Sequence, residues 1–176
     1  MFFLYPKEYI EYLVHFHGSR DYFECHEILE DYWKRIDAAN KESIWVGFIQ
    51  LAVSCYHYRR SNFAGAKKTL AKAKRIFSQE GQNLIKLGMD PEKMAAILEQ
   101  LHDRIDHRKP YESFRLPVID PILMDECQKA ADLHRFDLKQ TSDLSDEKIV
   151  HRHRLRDRTW VIRARKEALK KKRGSD

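Results

Sequence analysis

An all-α fold, a compact helical bundle of about six helices with a basic C-terminal helical extension, is what this 176-residue sequence predicts. Three observations predict it. Apolar residues recur at spacings of three and four rather than two, which is the pattern of one buried helix face. Only six glycines and five prolines occur, and Gly18, Gly81, Gly88, Pro6, Pro91 and Pro121 fall where elements would begin or end. The content of 43% hydrophobic and 11% aromatic residues is enough for one substantial core.

Taken in order, Pro6 suits the first turn of a helix running to about His17, which Gly18 and Ser19 end. Asp21 opens a second helix, with Glu24 three residues on as a capping box, reaching about Ala38. Asn40 caps a third helix over about 41–60. After a Ser61-Asn62 turn, Phe63, Ala66, Leu70, Ala73 and Phe77 mark a fourth helix over about 63–79. Gly81 and Gly88 flank a short turn. Asp90-Pro91 starts a fifth helix to about Asp106, the segment 107–118 reads as an extended crossing, and Asp120-Pro121 starts a sixth to about Phe136. The tail from about 146 to 173 is helix-forming but has a thin apolar stripe of Val150, Trp160, Val161, Ala164 and Ala168, so it is expected to stand apart from the core. The division expected is an all-helical domain over 1–137 and a polar linker with a basic C-terminal helix or tail over 138–176.

Charge follows the same division. Residues 145–176 carry 12 Lys and Arg against 5 Asp and Glu, while residues 1–144 carry 21 against 22. Electrostatic attraction to a polyanion therefore concerns the tail and not the nearly neutral body. No stretch approaches the roughly 20 apolar residues of a membrane span. The opening MFFLYPKEY has neither a basic start nor a cleavage site, so a soluble, cytoplasmic protein without membrane partners is expected. Cys25, Cys55 and Cys127 form no CxxC pair and read as reduced, buried thiols.

The chemistry-bearing residues gather on helices two and three. At about 100° per residue, Tyr22, Cys25, Leu29, Trp33 and Ile36 make the apolar arc of helix two, and His26 and Glu30 fall between Trp33 and Phe23. An imidazole and a carboxylate four residues apart can bond each other or share an ion. Helix three is apolar around most of its circumference. It leaves one small, uncharged stripe of Ser43, Gly47, Gln50, Ser54 and His57, which is expected to face helix two. His26, Glu30, Gln50, Ser54 and His57 would then form a polar network or pocket between the two helices.

The strings YFECHEILEDYW and GFIQLAVSCYHYRRSNFAGA resemble the family known as domain of unknown function 309. Phe23, His26, Glu27, Glu30 and Trp33 match its pattern F-E-x-H-E-x-x-E-x-x-W, and Gly47, Gln50, Ala52, His57, Asn62, Gly65 and Ala66 match its second half. The resemblance spans about residues 15–75. It implies a compact all-helical fold and no established activity.

Function stays open at this level between three readings. The first is a binding or adaptor protein with a protein partner or a second copy of itself, built on the polar pocket. The second is a hydrolase-type enzyme with a single divalent metal (zinc, iron or manganese) held by His26, Glu30 and His57. The third is nucleic-acid or partner binding through the tail by Arg156, Trp160, Arg163, Lys170 and Lys171, where cations neutralise phosphates and the indole stacks on a base.

Overall fold

Pro6 opens helix α1 (Lys7–Val14), its carbonyl accepting from the backbone N–H groups of Tyr9 and Ile10. The computed structural model, which describes residues 4–155 and 159–173, is helical as expected, with no strand among the described residues and only a single bridge between Met89 and Val118. Instead of ending near His17, the first helix widens into a π-helical segment, His15–Ser19, and stops at Arg20 in the left-handed conformation (φ 57°). Such widened turns are rare and turn successive side chains onto a new face.

Helix α2 (Tyr22–Asp37) starts where expected, with the Asp21 carboxylate accepting from the Glu24 N–H at 3.1 Å. The reciprocal half of the capping box is absent, because the Glu24 carboxylate turns to Arg152 instead. Helix α3 (Ile44–Arg59) begins later than expected. Ser43 caps it, and Asn40 closes the preceding turn onto the Glu42 N–H. Helix α4 (Phe63–Gln79) matches its expected span and is capped by Asn62. The 81–88 region forms a short helix α5 (Gly81–Lys86). Asp90 and Asp120, each followed by proline, cap α6 (Pro91–Asp106) and α7 (Pro121–His134).

The element α3 is central, as its all-round apolar sequence requires: α2 packs on one side and α4 on another. Helix α1 packs on α2 and α7, and α6 packs on α4. Buried tyrosines stitch these layers. Tyr12 donates to the Phe48 carbonyl at 2.8 Å, Tyr9 to the Leu87 carbonyl at 2.8 Å, and Tyr58 to the Lys109 carbonyl at 2.7 Å. A buried hydroxyl without a partner costs about 1–3 kcal/mol, so these bonds fix register as well as adding stability. Cys25, Cys55 and Cys127 are free and buried, and burial pushes the Cys55 and Cys127 thiols up to about 12, which removes them as nucleophiles.

The segment expected to be a linker is tied down. Gln140 accepts from Arg20, Ser142 N–H donates to Ser113, and Val150 is buried at the end of α8 (Glu147–Val150). A further turn, α9 (Arg152–Leu155), carries Arg152 onto Asp21 and Glu24. Arg59, buried under the Tyr22 ring, donates to the carbonyls of Arg20 (2.5 Å) and Ile149 (3.3 Å) and so holds this segment against the start of α2. Helix α10 (Thr159–Arg173) follows.

Candidate functional site

The expected α2–α3 network divides into parts that do not meet. Positions 47 and 54 lie two turns apart on one face of α3, whereas Gln50 and His57 are turned by about 60° from them. Gly47 faces α4: a Cβ there would lie 3.0 Å from Ile76 and 3.1 Å from Phe77. Ser54 is buried on the same side and donates to the Ala66 carbonyl at 2.8 Å. The stripe expected to face α2 is therefore the seam between α3 and α4. Toward α2, the third helix presents Trp45 to Tyr32 and Tyr56 to Phe23, ring centroids 5.2 and 5.7 Å apart. Gln50 is half-buried and makes no hydrogen bond to His26 or Glu30 among the described residues.

His26 and Glu30 do pair with each other, Nε2 to Oε2 at 3.3 Å, and Glu30 also takes Lys34 at 2.7 Å. The imidazole is anchored by Nδ1 donating to the Phe23 carbonyl at 2.7 Å. Burial works against a charged His26, but the bonds to Glu30 and to Phe23 outweigh it and raise its pKa. The His26 bond, opposed by burial and helped by Lys34, holds Glu30 down at about 2. This pair is half-buried at the surface.

His57 belongs to a different local arrangement. The Asn62 side-chain oxygen caps α4 on the Gly65 N–H at 3.1 Å, which fixes the amide so that its nitrogen donates to His57 Nδ1, also at 3.1 Å. His57 Nδ1 therefore holds the lone pair and Nε2 the hydrogen. Burial, then the Arg60 charge, lowers its pKa and keeps the ring neutral. A ligand nitrogen occupied in this way does not suit a metal. Nor do His26, Glu30 and His57 converge: among the described residues, the only three-residue group of metal-ligating side chains lies elsewhere.

What the structure does form between α2 and α3 is a cavity of about 170 Å³ lined by Tyr22, Phe23, His26, Val53, Tyr56, His57, Arg60 and His153. Its walls are apolar rings and Val53, and its polar groups are His26, the Tyr56 hydroxyl, His57, Arg60 and His153. Tyr56 bonds His153, and Arg60 reaches the same imidazole at 2.8 Å. Neither Glu30, Gln50 nor Ser54 lines it. Val53, Tyr56, His57 and Arg60 share one helix face by their spacing, a signal that attention to the uncharged stripe overlooks. No local pattern in the sequence places His153 here. Arg163, Lys170 and Lys171 are exposed on α10, whereas Arg156 and the Trp160 side chain lie outside the described residues.

The family described as domain of unknown function (DUF309) matches residues 9–69, which run from α1 into α4 and include both walls of the cavity. The uncharacterized protein YpuF of Bacillus subtilis (strain 168) is 42% identical over 172 residues, covering 98% of this chain and 99% of that protein. The chain belongs to the DUF309 family. In this DUF309 protein the family match supplies His26, Tyr56, His57 and Arg60, while His153, which also lines the cavity, comes from beyond it. No solved structure matches the chain. Among the described residues no helix is long and apolar enough to cross a membrane.

Proposed function

We propose that this DUF309 protein is a cytoplasmic binding module whose α2–α3 cavity takes one planar apolar group carrying a hydrogen-bond acceptor, from a small molecule or from a partner's side chain. The cavity carries this reading. At 170 Å³ it is close to the roughly 150 Å³ of an apolar cavity that accepts benzene, and it is below the range of ordinary cofactor sites. Tyr22, Phe23, Val53 and Tyr56 supply the apolar walls, and the His57 Nε2–H and Arg60 supply donors for an acceptor such as a carboxylate. Titrating the full-length, ¹⁵N-labelled chain with benzoate should shift the amide signals of Phe23, Val53, Tyr56 and His57. Val53→Trp, which fills the cavity, should remove those shifts. Benzoate shifts that are absent, or that persist in the filled variant, would overturn the proposal.

A second reading rests on α10. Arg163, Lys166 and Lys170 share one helix face and are all exposed, which suits an approach to the phosphates of a single-stranded nucleic acid. Because residues 138–153 are part of the body, point variants are the sound test. Replacing these three by Gln should weaken binding to a labelled RNA and flatten its log–log salt dependence by about 0.7 for each phosphate no longer neutralised. Binding that is unchanged by the replacements would remove this reading.

A further inference from the structure

A second cluster, where α1 meets α7, has the features of a metal site. Glu11 on α1 and His15 at the start of the π-helical segment are one turn apart, and His134 comes from the last turn of α7, which packs beside α1. The three ligand atoms all lie within 4.8 Å of one another. His134 Nε2 is 2.8 Å and His15 Nε2 is 4.0 Å from the same Glu11 oxygen. Tetrahedral ligands at bond lengths of about 2.0–2.2 Å stand roughly 3.3–3.5 Å apart, so side-chain rotations of the order of 1 Å complete the geometry.

The surroundings prepare these rings for that role. The Ser19 hydroxyl donates to the His15 carbonyl at 3.3 Å, so its oxygen accepts from His15 Nδ1–H at 2.9 Å. That bond leaves the lone pair of His15 on Nε2, the nitrogen facing Glu11 and His134. Phe136 orients both imidazoles: it stacks on His134 with planes 10° apart and meets His15 edge-on with centroids 5.3 Å apart. Arg135, in the left-handed conformation, turns the chain back at the end of α7, and Phe136 N–H closes onto the Ala131 carbonyl at 2.9 Å. Gly18 makes room for the ring, since a Cβ there would lie 2.8 Å from Phe136 Cβ.

We propose that Glu11, His15 and His134 form a binding site for a divalent transition-metal ion, zinc by preference for two imidazoles and a carboxylate, with a fourth position open to water. Zinc takes the place of the hydrogen shared by His134 Nε2 and Glu11, leaving His134 as its Nδ1–H tautomer, and it clamps the end of α7 to the π-helical turn. Calorimetric titration of full-length protein without a histidine tag should show one equivalent of zinc bound. His134→Ala, at the exposed end of α7, and the isosteric Glu11→Gln should each weaken binding at least 10-fold. Ser19→Ala, which removes the tautomer-setting partner, should weaken it about 10–100-fold, the usual effect of losing such an outer partner. His26→Ala should bind zinc as the wild type does. Absence of zinc binding in the wild type, or equal binding by His134→Ala and Glu11→Gln, would overturn the proposal.

Discussion

On α2, His26 and Glu30 stand four residues apart and bond each other; on α1 and the turn that follows it, Glu11 and His15 have the same spacing in the reverse order. The α2 pair is complete within its own helix: His26 is anchored on the Phe23 carbonyl and Glu30 is shared with Lys34. The α1 pair is held open at 4.0 Å, its histidine tautomer is set by Ser19, and the third group arrives from α7. Spacing along a helix thus brings two side chains together, but what the pair can do depends on the groups that meet it from elsewhere. A pair already satisfied by Lys34 contributes to surface electrostatics, whereas a pair that converges with a second imidazole has lone pairs to offer.

Three substitutions sharpen that contrast, beginning with the largest effect. Gly18→Ala places a methyl against the near end of Phe136, which cannot rotate away, so it should destabilise the fold by about 1–3 kcal/mol in a denaturant titration and misalign both imidazoles. Stability equal to wild type would mean that Phe136 is not pressed into the π-helical turn.

The next effect is electrostatic and smaller. Glu30 is depressed to about 2 from an ordinary 4.5, so its contribution is present above pH 4.5 and is lost as pH falls toward 2. His26 is raised above an ordinary 6.5, so its contribution is full below 6.5 and is lost as pH rises through its folded value. The pair should therefore stabilise most between about pH 4.5 and 6.5. With Glu30 a third exposed, the gain over Glu30→Gln should be no more than about 1 kcal/mol. The same variant should lower the His26 pKa in an NMR titration, and a His26 curve unmoved by it would break the assignment of the shift to Glu30.

Smallest is the coupling between the two halves of the expected network. A double-mutant cycle on Glu30→Gln and His57→Ala should be additive within about 0.5 kcal/mol, because Glu30 pairs along α2 while His57 is bound to Asn62. A larger coupling energy would restore a direct interaction between them.

The helices are legible in the sequence because most carry their own signals: Asp21, Asp90 and Asp120 cap the elements that their positions predict. The cap of α3 is not, because Asn40 and Ser43 are both good caps and only tertiary packing chooses between them. Within the site, the His26–Glu30 pair can be read from local spacing. The facing of Ser54 cannot, since a helix apolar on every side gives no signal of which neighbour its small residues meet. His134 is 119 positions from His15, so no local spacing in the sequence brings the two rings together.

A long-range ¹H–¹⁵N spectrum of the histidine rings, recorded with and without one equivalent of zinc, reads all of these sites at once. Before zinc, His15 should be the Nδ1–H tautomer and His57 the Nε2–H tautomer; with zinc, coordination shifts should appear at Nε2 of His15 and His134 while His26 and His57 stay unmoved. Zinc-induced shifts at His26 or His57, with His15 and His134 unchanged, would contradict the assignment of the metal site to α1 and α7.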